Sequence, residues 1–308
     1  MSDAPTLDPH VFLAGRPPMS EFISFARRSA AGAGAEDSRA ESRLADDWRA
    51  ANDRLRRLEE TEKGVADNAA ASPLGPELQA QGERLLRHRA FRNAHGAVPT
   101  EIAMVELDRL VVFQKHVNLA RAELIKRELG YRPDPETVGR VAFGIERHTP
   151  PVRLMQTHDV FTFVCDSKDF RMLEPIHLPA GELAGLDCRG LAARGLVLPV
   201  GFSLNCLSAI RAEGRLILFN GSHRAYAMRE LGLTHAPCVI LKTTRPEEIE
   251  LVASKEITQR ADLYLRNPRP PLLKDYFDPE LRRIVPVPRS HRMVRIQLRV
   301  DQSDVPGI

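Results

Sequence analysis

Leu216-Ile217-Leu218-Phe219-Asn220-Gly221-Ser222-His223-Arg224-Ala225-Tyr226-Ala227-Met228-Arg229-Glu230-Leu231-Gly232 is the stretch that decides how this chain reads. The four apolar residues 216–219 suit a buried strand. Asn220 and Gly221 follow as a turn, where glycine permits a sharp bend and a close backbone approach to a ligand. Ser222, His223 and Arg224 then open a short helix, which Gly232 closes. Polar groups placed there meet unpaired backbone N–H groups and the positive end of the helix dipole, a setting that favours an anion and above all a phosphate. Ser222 can cap the helix, His223 can donate a hydrogen bond, and Arg224 offers a planar fork suited to phosphate oxygens. The same residues also fit a plain solvated first turn with Ser222 as its cap. An arginine in that turn opposes the dipole, a cost that a bound anion would offset.

Working outward, residues 211–215 read as a glycine-containing hairpin turn into this strand, and Pro237 leads into a strand ending near 241. Short apolar runs at 160–165 and 195–210 add further strands, and a helix is expected over 245–261 with Pro246 in its first turn. This part is α+β. Upstream the text is helical. Residues 29–35 (S-A-A-G-A-G-A) suit a flexible link. Residues 36–66 carry Leu44, Trp48, Leu55 and Leu58 as a narrow apolar stripe, expected to pack within a helical bundle, with pairing to a second copy as the other option. A second helix is expected from 76 to about 91. A third and longer one is expected from 99 to 130, capped by Thr100 and striped by Met104, Leu107, Val111, Leu124 and Ile125. A fourth is expected from 135 to 144. The expected architecture is an N-terminal all-helical domain over 1–147, with 1–35 partly flexible, followed by an α+β domain over 148–265 that begins at His148-Thr149-Pro150-Pro151. A proline- and arginine-rich extension over 266–308 carries one edge strand near 293–300.

Composition narrows the function. With 43% hydrophobic and 28% charged residues the chain can build and solubilise a core. A net charge of only +3 excludes a whole-protein polyelectrolyte binder, so nucleic acid would need a local patch. Arg282, Arg283, Arg289, His291, Arg292, Arg295 and Arg299 supply one. Alternation over 293–300 and the lack of aromatics there favour a polar outer face instead. Cys165, Cys188, Cys206 and Cys238 form no C-x-x-C and read as free thiols of a reducing compartment. His116, His148 and His158 include no helical i,i+4 pair, so no metal site is expected. No apolar run approaches a membrane span, and residues 1–9 lack a signal-peptide pattern, so a soluble cytoplasmic protein without membrane contact is expected.

The run from Phe219 to Arg224, with the short helix after it, resembles the nucleotide-binding motif of the ParB/sulfiredoxin superfamily. Sulfiredoxins carry F-G-G-C-H-R at this place, and ParB proteins and related small-molecule kinases carry variants of G-x-x-R or D-G-x-H-R. Residues 173–183 (L-E-P-I-H-L-P-A-G-E-L) are similar to the first box of that fold, and the resemblance spans roughly 160–260. It implies a nucleotide, ATP or CTP, held by Asn220, Gly221, Ser222, His223 and Arg224, with Mg2+ as an optional companion. It further implies phosphate transfer to a small-molecule hydroxyl, or hydrolysis. Such chemistry needs a base near the acceptor. Asp169, Glu174 and His177 are the candidates, because they precede or enter the first box, and Ser222 stands at the nucleophile's place. Two departures matter. Serine lacks the low-pKa thiolate of the sulfiredoxin cysteine, so sulfinate repair is not expected. No helix-turn-helix follows residue 261, so chromosome partitioning is not expected. The alternative class is a nucleotide-gated switch that engages DNA or a protein partner.

Overall fold

The computed structural model describes residues 6–30, 38–144, 149–183, 185 and 190–304. The chain divides into two compact units, each built from two stretches: unit 1 from residues 1–147 and 204–289, unit 2 from 148–203 and 290–308.

In chain order, unit 1 begins with β1 (Leu7–Leu13), α1 (Met19–Ala30), α2 (Ser38–Thr61), β2 (Ala71–Ser72), α3 (Pro76–Arg87), α4 (Arg89–His95), β3 (Thr100–Glu106), β4 (Val111–Val112), β5 (His116–Asn118), α5 (Leu119–Leu129) and α6 (Pro135–Phe143). Unit 2 then contributes β6 (Arg153–Thr157), β7 (Val160–Cys165), β8 (Phe170–Met172), β9 (Ile176–Pro179), β10 (Arg194–Val197) and β11 (Val200–Phe202). Unit 1 resumes with β12 (Ser208–Ala212), β13 (Arg215–Asn220), α7 (Ser222–Glu230), β14 (His235–Lys242), α8 (Pro246–Val252), α9 (Lys255–Gln259) and β15 (Arg282–Pro288); β16 (Arg292–Gln297) returns to unit 2.

The heart of unit 1 is a six-stranded mixed sheet in the order β2-β3-β14-β12-β13-β4. Alternation along the strands sorts side chains onto its two faces. Leu216 and Leu218 join a core with Ala122 of α5, Val138 and Ala142 of α6, and Ala225 to Met228 of α7. Ile217, between them, joins Ile257, Tyr264 and Leu272 in another. A second sheet, β15-β1-β5, packs Phe12 and Val285 against Phe22 of α1 and Ala51, Leu55 and Leu58 of α2. The stripe on α2 therefore covers a sheet and a neighbouring helix within its own unit. Arg269, 1% exposed, binds Asp275 through both terminal nitrogens and also Glu62, just after α2, which fastens the segment after α9 to the N-terminal half. Tyr276 and Leu273 are fully buried beside it.

The expectation of a separate all-helical N-terminal domain is corrected. Residues 100–106 form β3, paired with β14 along its length, and 7–13 form β1, paired with β15. The N-terminal half thus supplies strands to sheets completed by the C-terminal half. The expected helix over 99–130 is α-helical only in α5, whose cap is Asn118 rather than Thr100, with a single 3-10 turn at Leu107–Arg109. The helix expected over 135–144 is found as α6, with Asp134 as its cap and Gly144 left-handed after it. The helix expected over 245–261 is broken into α8 and α9. The link expected over 29–35 falls mostly outside the described residues.

Unit 2 has a three-stranded sheet, β16-β7-β6, and two ribbons, β8–β11 and β9–β10. Its β16 is an edge strand, as the alternation at 293–300 indicated. Cys165, Cys206 and Cys238 are buried free thiols, and burial pushes the Cys238 thiol up; Cys188 lies outside the described residues. No helix among the described residues is long and apolar enough to cross a membrane.

Candidate functional site

β13 and β4 run parallel, with Ile217 opposite Val111 and Leu218 opposite Val112, so their C-terminal ends lie side by side. Ligands of open α/β sheets gather at such ends. There β13 passes through Asn220 into Gly221, which is left-handed (φ 91°, ψ 24°), and straight into α7. Glycine is required twice over. The backbone angle disfavours a side chain, and a Cβ would sit 2.8 Å from Leu207 Cδ1 and 3.1 Å from an Arg224 terminal nitrogen.

The three polar residues that open α7 face different partners. Ser222, 4% exposed, donates its hydroxyl to Gln114 Oε1 at 2.5 Å. Gln114 follows β4, and its carbonyl accepts from the buried Tyr276 hydroxyl. His223 accepts the backbone N–H of Asn118 on Nε2 at 3.1 Å, so its neutral ring carries the proton on Nδ1. Asn118 also caps α5 by accepting the Arg121 N–H on Oδ1. The heads of α5 and α7 are therefore tied together through one residue.

Arg224 turns inward. Its Nη1 donates to the carbonyls of Val141 and Ala142, each at 3.3 Å, and to that of Asn205, while Nη2 donates to Asn205 Oδ1. Val141 and Ala142 belong to the last turn of α6, where carbonyls lack intrahelical partners and the dipole is negative. The arginine that is unfavourable at the head of α7 is thus favourable at the tail of α6. Its fork bonds protein carbonyls and the Asn205 side chain, and so links α7, α6 and the segment before β12.

Around Asn118 lies a polar group that the sequence reading missed. Asp8, 8% exposed, accepts from Asn118 Nδ2 at 3.2 Å and from Arg289 at 2.7 Å. Hydrogen bonds from Arg289 hold the Asp8 carboxyl below its ordinary range, against the opposing effect of burial. His10 pairs across the β1–β5 ladder with Asn118, and its Nδ1 lies 2.9 Å from Nδ1 of His116, so at that contact one ring donates and the other accepts. Only the Asn-Leu junction at 118–119, a helix-cap signal, could have pointed here from sequence. The partnership of β1, β5 and β15 is long-range and leaves no local mark.

Asp169, Glu174 and His177 lie in unit 2, on the turn before β8, in the exposed loop before β9, and on β9. Residues 173–183 lie there too, whereas Asn220, Gly221, Ser222, His223 and Arg224 lie in unit 1, so the two boxes belong to different compact units. Among the described residues no group of three or more His, Cys, Asp or Glu is arranged to hold a metal ion. No protein-family model, curated protein or solved structure matches the chain.

Proposed function

We propose that unit 1 binds a nucleotide, ATP or CTP, through its phosphates at the head of α7, and transfers or hydrolyses the terminal phosphate. One observation carries the reading: the Asn118–His223 bond joins the heads of two helices beside the C-terminal ends of a parallel strand pair. Helix heads offer N–H donors and positive dipole ends. Gly221 lets the backbone approach the ligand, Ser222 is set by Gln114, and Arg224 positions the turn from behind. His10, opposite Asn118 across the ladder, and its neighbour His116 are groups of unit 1 suited to proton transfer and serve as further candidates for the base beside Asp169, Glu174 and His177. Mg2+, where used, would be held chiefly by phosphate oxygens.

The test is a thermal-shift and calorimetry panel of ATP, CTP and GTP with and without Mg2+, on the wild type and His223→Ala. A ligand at a hundred times its Kd adds about 2.7 kcal/mol to stability. One nucleotide is expected to stabilise the wild type by that order and to lose most of its effect in the variant. No stabilisation by any nucleotide at millimolar concentration would overturn the reading. Phosphate release in the same mixtures separates an enzyme from a nucleotide-gated switch.

A further inference from the structure

A second, smaller feature of unit 1 also concerns anions. Arg16, Lys115 and Arg260 line one cavity together with Gln114 and Tyr264, and the rest of its wall is apolar. No carboxylate reaches the wall. The cations do have acidic partners elsewhere: Arg16 binds Glu59 and the carbonyl of Arg269, Lys115 binds Glu21 and Glu256, and Arg260 binds Glu256. Those contacts leave one donor over. Nε of Arg16 is buried and has no hydrogen-bond partner. A buried guanidinium N–H without an acceptor is costly and is rarely left so.

We propose that this cavity binds a single halide-sized anion, chloride in ordinary buffers. The volume, about 20 Å³, is enough for one water-sized body. Glu59, Glu21 and Glu256 partner the three positive side chains from outside the wall, so the feature that calls for an acceptor in that space is the unmatched Nε–H of Arg16. A monatomic ion accepts N–H groups from several directions at once, and the apolar remainder of the wall suits a weakly hydrated ion. Burial pulls the Arg16 pKa down, with Glu59 and Asp275 opposing it and the Arg269 charge adding to it. Gln114 connects the cavity to the head of α7, because its Oε1 takes the Ser222 hydroxyl while its amide hydrogens remain for another acceptor.

The test uses the full chain in bromide. Crystals grown or soaked in sodium bromide are expected to show an anomalous peak in contact with Arg16 Nε. In solution, melting temperatures are compared in sodium chloride, bromide and gluconate at equal ionic strength. The wild type is expected to gain several degrees in halide over gluconate. Arg260→Gln and Lys115→Met, at partly exposed positions, are expected to melt near the wild type in gluconate and to lose most of the halide increment. Arg16→Gln serves as a third variant if it folds. A cavity holding only water in bromide crystals, or equal halide increments in wild type and variants, would overturn the proposal.

Discussion

Replacing Arg224 separates a clamp from a ligand contact. In Arg224→Ala the carbonyls of Val141 and Asn205 and the side-chain oxygen of Asn205 lose their cationic donor, while Ala142 O keeps the Leu207 N–H. Each buried acceptor left unpaired costs about 1–3 kcal/mol, less where water enters. Summed over these three neutral acceptors, the loss is expected to be about 3–5 kcal/mol. For a unit of this size each kcal/mol lowers Tm by about 2–4 °C, so the fall is of order 10 °C. Arg224→Lys keeps a charge but reaches fewer acceptors, and is expected to lose about 1–3 kcal/mol. The assay is urea and thermal unfolding of wild type and both variants, with and without the best-binding nucleotide. A clamp predicts low stability without ligand and an undiminished nucleotide increment in the folded Arg224→Lys protein. Wild-type stability in Arg224→Ala, combined with loss of the nucleotide increment, would refute the clamp and return the fork to the ligand.

Gly221→Ala forces a left-handed alanine at a cost of about 1–3 kcal/mol, before its clash with Leu207, and a lowered urea midpoint would show it. For Asp8 the folded pKa lies below the unfolded one, near 3.9, so its stabilisation is complete above about pH 5 and drains away as pH falls through the folded value. Asp8→Asn should therefore flatten the acid limb of a stability-versus-pH curve, and an unchanged limb would count against it. Arg269→Met alone is expected to cost about 3–5 kcal/mol, and Arg269→Met with Asp275→Leu less than the sum of the single changes, as a double-mutant cycle would reveal. A fragment of residues 1–147 should show no cooperative unfolding by circular dichroism, because β3 lacks β14 and β1 lacks β15.

The stretch from 216 to 241 was legible because its signals are local. An apolar run, a glycine turn, a short helix and a second apolar run follow one another without help from elsewhere, and appear as β13, Gly221, α7 and β14, although Gly221 and not Ser222 stands at the helix cap. Residues 100–106 misled for the opposite reason. Ile102 and Met104 lie on one side of the strand, and Ala103 and Val105 on the other, so no alternation shows. Met104, Leu107 and Val111 then imitate a helical spacing. Leu124, counted in that stripe, is 63% exposed on α5. The anion motif was readable as residue types, but the direction of the Arg224 side chain depends on α6, some eighty residues earlier, and on Asn205. Asp8, His10, His116 and Arg289 meet only because three strands distant in sequence pair.

The pairing of Leu7 with Pro288 and of Leu13 with Arg282 has a bearing on how the protein is made. At about 5–20 residues per second, the first strand leaves the ribosome roughly a quarter of a minute to a minute before its partner is synthesised. Through that interval Val11, Phe12 and Leu13, all buried in the finished protein, have no β15 to lie against. A holding chaperone that binds apolar segments should therefore engage residues 7–13 of the nascent chain and let go only once residues 282–288 have been synthesised.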